Sequence, residues 1–303
     1  MLQFDTGLFY SSESISRGES ISLSKELAEL WRFRGLLWQL VRRDLKVRYK
    51  NSRLGFLWSI APPLMQVAVI TFAFRHATNF AAKFPSYSAF VLVAMIPWTY
   101  FQTGVQDSCQ SILMMYTVIK KVYLPREIIP LSSTISNFIH FLLSWLVFAL
   151  YWYVFRRGPI LWTVLWFPYL VIVQFMLVTG VGLFVACLNV FYEDIKYIVT
   201  IVMSLLLFVL PIMYVPEQVV YTSHIGGRYH PIFIWFYMNN PITALITGFR
   251  KTLLQPPSPA AVGGPSLPLN VGSLLFAGLI SFGLLIASYA YFNKRKWEFI
   301  ERP

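Results

Sequence analysis

Charge is scarce in this chain. Only 13% of its 303 residues are Asp, Glu, Lys or Arg, about half the ~25% of an ordinary soluble domain. Acid is scarcer than base, with 13 carboxylates against 25 Lys and Arg. Those carboxylates are also dispersed: Asp107, Glu127, Glu193, Asp194 and Glu217 fall in three loops on two sides of the apolar segments. A membrane-embedded glycosyl- or phosphotransferase acting on polyprenyl phosphates needs Asp or His clustered at one membrane face for metal and acid–base work. The scatter counts against that enzyme. Cysteine is limited to Cys109 and Cys187, without metal-ligand or redox spacing, and both read as small apolar packing residues near helix ends. No GxxxxGK[ST] phosphate loop occurs, so ATP hydrolysis is not expected of this chain. Residues 1–24 are polar and serine-rich, without the apolar core of a secretory signal. The first apolar span is therefore expected to be internal and retained.

What the chain has is apolar surface. Hydrophobic residues make up 57%, more than a single core of this length can hide, so the bilayer is the expected solvent. The net charge of +12 raises nucleic-acid binding, but no basic–aromatic module stands apart from the apolar runs. The Lys and Arg lie between those runs, where they act as topology signals and contacts to anionic lipid.

Charge-free intervals mark the spans. Arg53 and Arg75 bracket 21 uncharged residues, Lys83 and Asp107 bracket 23, and Glu127 and Arg156 bracket 28. Arg157 and Glu193 bracket 35, with the membrane part expected at 168–189, and Lys196 and Glu217 bracket 20. A last run at 271–292 precedes the basic tail Lys294-Arg295-Lys296. Each is long enough to cross a ~30 Å hydrocarbon core as a helix. The fold class predicted is an all-α integral membrane protein with six transmembrane helices. Lys and Arg divide 18 to 7 between alternate sides, which places both termini in the cytoplasm. That orientation leans on the first basic block.

Two regions depart from simple spans. The connection at 217–270 is long and apolar, with Pro231 and Pro241 near the expected starts of short helices. It reads either as external re-entrant helices between spans five and six or as loop helices packed on their neighbours. Residues 256–268 form a Pro/Gly connector. At the other end, Ser24 can cap a helix with Glu26 in its first turn. At 100° per residue, Arg32, Gln39, Arg42, Arg43, Lys46 and Lys50 share one arc, while Phe33, Leu36, Leu37, Leu40 and Val47 share the other. This predicts an amphipathic helix on the membrane surface. Asp44 and Arg48 sit on its apolar side four residues apart, spaced for an ion pair. They serve either that pair or a site in which Arg48, with Lys50 and Arg53, holds a lipid-linked phosphate. Leu54-Gly55 makes the elbow into the first span, Gly55 permitting the sharp turn. The division expected is a polar extension at 1–24, an interface helix at 25–53 and a transmembrane domain at 54–303.

Several blocks now resemble a known family. Arg43-Asp44-Leu45, Arg48-Tyr49, Leu54-Gly55, Trp58 and Pro63-Leu64 form the most specific of them. Leu124-Pro125-Arg126-Glu127 with Pro130-Leu131, then Asn189, Phe191-Tyr192 and Asp194, then Asn240-Pro241 and Arg250, follow in order. Together they resemble the ABC-2 type polysaccharide-export permeases, the membrane subunits that export O-antigen, teichoic acid and capsule. The resemblance runs from Leu36 to the C-terminus. It departs in the longer Ser-rich N-terminus and the insertion at 256–268.

The resemblance implies a homodimer of six-helix subunits in the bacterial cytoplasmic membrane, not itself an enzyme. Two copies of a separate ABC ATPase would carry ATP and Mg, and the cargo would be a polyprenyl-diphosphate-linked glycan. No cofactor or metal is expected in this chain. The diphosphate would lie near Arg48, Lys50, Arg53, Leu54 and Gly55. Lys120, Lys121, Arg126 and Glu127 would meet the ATPase, although Lys120-Lys121 reads equally as a solvated loop. Asn240, Pro241 and Arg250 would form the external gate. The family lines its pore with spans one and five, so Trp58, Phe72, Phe208 and Tyr214 are candidates for stacking on sugar faces. Each also reads as a packing or membrane-belt aromatic. An ABC-2 exporter of drugs or small lipids is the alternative within the same superfamily.

Overall fold

The computed structural model describes residues 30–48, 57–77, 87–121, 124–155, 162–221, 230–255 and 266–300, together with Ala28 and Lys50. The extension at 1–24 lies outside them. The described residues are helical, with no strand among them. In order, the helices are α1 (Arg34–Arg48), α2 (Leu57–Ala77), α3 (Tyr87–Met114), α4 (Tyr116–Ile119), α5 (Ile128–Phe155), α6 (Phe167–Phe191) and α7 (Ile195–Val209). There follow α8 (Pro216–Tyr221), α9 (His230–Asn239), α10 (Pro241–Leu253) and α11 (Val271–Arg295), with tight 3-10 turns at Trp162–Trp166 and Lys296–Ile300.

Among the described residues, four helices are long and apolar enough to cross a membrane: α3, α5, α6 with the turn before it, and α11. The 25 residues of α11 reach ~38 Å at 1.5 Å per residue, more than the ~30 Å hydrocarbon core. The chain is a multi-pass membrane protein. The first expected span coincides with α2, which has 21 residues. The fifth coincides with α7, an apolar helix of only 15 residues, shorter than the uncharged interval that predicted it.

Helices α3 and α6 form the centre, with α5 and α11 flanking them, α1 along α5 and α10 against α3 and α11. The α6–α11 seam is tight because Gly180 allows it: a Cβ there would stand 3.0–3.2 Å from the backbone of Leu284 and Leu285. Small residues serve this purpose in membrane bundles, where association depends on close backbone approach. Pro97 interrupts the hydrogen-bond ladder of α3, and the buried Gln174 of α6 donates to the Pro97 carbonyl at 3.2 Å. Cys109 and Cys187 are both buried within apolar clusters.

Part of the apolar arc of α1 packs against the bundle, while Val47 stays exposed. Leu36, Leu37 and Leu40 pack with Met115, Leu124, Ile128 and Ile129 at the start of α5. Trp31 and Trp38 remain exposed, each under an arginine, Arg34 at 5.0 Å and Arg42 at 5.6 Å from the ring centroids. The helix is thus a packed part of the bundle with an aromatic–cationic outer edge.

Candidate functional site

Arg48, the last residue of α1, turns its guanidinium into the seam between α3 and α5. Nη2 donates to Asp107 Oδ2 at 2.7 Å and Nη1 to Asn137 Oδ1 at 3.0 Å. Asn137 closes the triangle by donating through Nδ2 to the same Asp107 oxygen at 2.8 Å and to the Ser133 carbonyl at 3.0 Å. Asn137 lies nine residues beyond the start of α5, ~14 Å along its axis, so the cluster sits well inside the bundle. Arg48 and Asp107 nevertheless keep 38% and 42% of their side chains exposed, leaving the charged edge open to a ligand.

This geometry replaces the ion pair expected within α1. Asp44 is held instead by its neighbour Arg43, at 3.1 Å from Nε and 2.7 Å from Nη2, so Asp44 and Arg48 do not pair. Lys50 is exposed, while Arg53, Leu54 and Gly55 lie outside the described residues. Sequence reasoning treated Asp107 as the boundary of a span. The helix continues seven residues past it to Met114, and the carboxylate pairs with an arginine distant in sequence.

The break after α7 forms a second centre. Pro211 cannot continue the helix, and Leu210 takes the extended conformation, φ −76° and ψ 150°, favoured before proline. The carbonyls freed at 209–215 all find partners. Arg250 of α10 donates to those of Pro211, Ile212 and Tyr214. Tyr214 Oη donates to Val209, Tyr87 Oη to Met213 at 2.7 Å, and the amides of Ile212 and Gln218 to Leu210 and Val215. Irregular backbone at membrane depth persists only when satisfied in this way. Arg250 Nε also donates to Phe90 O at 3.1 Å, and the guanidinium lies 3.5 Å from the Phe90 ring centroid. Lys251, next along α10, meets the buried Glu217 at 2.9 Å.

The three residues expected at an external gate take distinct places in this region. Arg250 faces inward as a clamp on backbone. Asn240 caps α10, accepting from Ile242 N at 2.9 Å, with Pro241 in the first turn. Among the candidate channel aromatics, Phe72 and Phe208 stand exposed on α2 and α7. Tyr214 is half-buried and bonded into the break, accepting from Tyr237 Oη at 3.0 Å. Trp58 falls in α2, and its side chain lies outside the described residues.

The four residues expected to meet an ATPase divide into two pairs. Lys120 and Lys121 are exposed just after α4, Lys120 lying 4.4 Å from the Tyr116 ring centroid. Arg126 and Glu127 point inward instead: both are buried, Glu127 facing Lys296 at 3.3 Å and Arg126 lying 5.8 Å from the Phe299 ring. Their charges are used inside the bundle.

A family model for the ABC-2 type transporter matches residues 35–254, from α1 through α10. The chain belongs to the ABC-2 type transporter family. The match takes in both centres, the Arg48 triangle and the Arg250 clamp. This ABC-2 chain is also 29% identical over 270 residues to an O-antigen export system permease protein RfbA of Klebsiella pneumoniae, covering 88% of this chain and 94% of that one. A Myxococcus xanthus protein of the same description is 27% identical over 273 residues, covering 90% and 97%. The similarity extends past the family match toward the C-terminus, so the ABC-2 chain matches these permeases nearly end to end.

Proposed function

We propose that this protein is the membrane subunit of an ABC transporter that exports a lipid-linked polysaccharide of the O-antigen type. The near end-to-end similarity to O-antigen export permeases carries this reading. The working unit is a homodimer of six-span subunits in the bacterial cytoplasmic membrane, with both termini in the cytoplasm. In this reading α2 and α7 complete the six spans, and α9 and α10 are the external helices between spans five and six. A separate ATPase subunit in two copies binds ATP and Mg and meets the surface at Lys120 and Lys121.

The Arg48 triangle gives the substrate's diphosphate a place to bind. A guanidinium presents paired N–H donors in a plane that matches phosphate oxygens, and a diphosphate offers more charge than the single Asp107 carboxylate. The headgroup would take over Arg48 from Asp107, with Lys50 and Arg53 nearby in sequence adding charge. The polyprenyl chain would stay in lipid while the glycan passes between subunits, along faces that carry Phe72 and Phe208.

The test is genetic and biochemical. Deleting the gene should remove surface polysaccharide and leave lipid-linked glycan in the cytoplasmic leaflet. Purification of the tagged chain in mild detergent should bring with it a stoichiometric phosphate-loop ATPase. Normal surface glycan in the deletion strain, or repeated isolation without an ATPase, would refute the reading.

A further inference from the structure

The turn Lys296–Ile300 folds back under the bundle and touches three segments at once. Lys296 Nζ stands 3.3 Å from Glu127 Oε1, with only 10% and 1% of the two side chains exposed. Phe299 is buried among Phe191, the last residue of α6, at 5.6 Å and Phe292 of α11 at 5.4 Å, edge to face. The Arg126 guanidinium lies 5.8 Å from the same ring, and Arg295 binds Glu298 at 2.8 Å, which fixes the turn itself. Above this sits α4, whose Ile119 packs against two apolar clusters: the one containing Phe299 and the one joining α1 to the start of α5. Val118 of α4 stays exposed, as do Met114 just before the helix and Lys120 and Lys121 just after it.

We propose that the C-terminal turn is a coupling brace, with Lys296 and Phe299 as positioning residues that hold the corner at 124–128 rigid beneath α4. The proposal rests on the export reading above. A push on α4 by the ATPase reaches α5 and α6 only if the corner cannot yield. The buried pair of Lys296 with Glu127 resists yielding, because separating the two strands a carboxylate in an apolar site. Phe299 fills the space through which the corner would collapse. Both side chains are buried.

The test uses the full chain in complex with its ATPase subunit, with the host's own surface polysaccharide as the export readout and ATP hydrolysis by the purified complex measured separately. Lys296→Met should assemble and hydrolyse ATP at the parental level while surface polysaccharide falls about tenfold, within the ~5–150-fold range of typical coupling free energies. Phe299→Ala should lower export per ATP in the same direction. Adding Glu127→Gln to Lys296→Met should restore export, because it removes the stranded carboxylate. Parental export by Lys296→Met would overturn the brace, as would failure of that rescue. So would loss of assembled complex in proportion to export, which would make the turn a folding element. A parental chain that carries no ATPase at all would instead refute the export reading itself.

Discussion

Replacing Arg250 with Met tests whether the break after α7 is held by hydrogen bonds. The guanidinium serves four backbone carbonyls, those of Phe90, Pro211, Ile212 and Tyr214, and it is buried. A methionine fills much of the same volume but donates nothing. With a net ~1 kcal/mol per hydrogen bond, the four bonds together contribute ~4 kcal/mol. At ~2–4 °C per kcal/mol for a large domain, the melting temperature should fall by ~8 °C or more. Thermal unfolding of the detergent-purified chain, followed by tryptophan fluorescence, reads this directly, since ten tryptophans are present. Arg250→Lys keeps the charge but loses the planar fork, so it should fall between parent and Met. Melting of Arg250→Met within ~2 °C of the parent would show that the freed carbonyls need no donor from α10, and the account of the break would fail.

Three further outcomes follow from the packing and the charges. Tyr87→Phe removes the partner of the Met213 carbonyl and should cost ~1 kcal/mol, measured in the same melting assay. Gly180→Ala forces apart the backbones of α6 and α11 and should cost ~1–3 kcal/mol, whereas Gly283→Ala, on α11 with open space around it, should be neutral or slightly stabilising. Arg48→Ala and Asp107→Asn break a half-exposed pair contributing no more than ~1 kcal/mol, so both should accumulate normally. Export should then be lost with Arg48→Ala and retained with Asp107→Asn, because the second leaves Arg48 free for phosphate. Equal loss in both, scored as surface polysaccharide, would show that the pair matters only as a structural tie.

The long apolar helices α3, α5, α6 and α11 were legible because their composition admits no other solvent. Their limits were less so, for one recurring reason. Counting uncharged intervals treats every charge as a boundary, yet Asp107 lies inside α3, neutralised by a residue 59 positions away. The same counting overextended α7, although Pro211 and the rule for the residue before proline already mark its end. Spacing likewise suggested that Asp44 pairs with Arg48, but spacing says nothing of Arg43, whose side chain reaches the carboxylate first. Arg126-Glu127 shows the same limit, since local sequence does not carry the direction its side chains take. Their partners, Phe299 and Lys296, come from the far end of the chain, and no local pattern carries that information.

The inward turn of Arg250 changes what an external gate made of Asn240, Pro241 and Arg250 could do. One guanidinium bonded to the carbonyls of Pro211, Ile212 and Tyr214 and to that of Phe90 fixes α10 to the segment that follows α7 and to the start of α3. If α10 moves away alone, four buried acceptors lose their donor together, at a cost near the whole ~4 kcal/mol. If α10 carries the 209–215 segment with it, the three bonds to that segment survive, while the Arg250–Phe90 and Tyr87–Met213 bonds to α3 break. The second motion costs about half as much. An opening at this end of the bundle is therefore expected to move α10 and the 209–215 segment as one body. Arg250 is the rivet of that body. Arg250→Lys should accordingly loosen the joint movement of α10 and α7 before it unfolds the chain. A cross-link placed between α10 and the 209–215 segment should be tolerated during export, whereas one between α10 and α3 should block it.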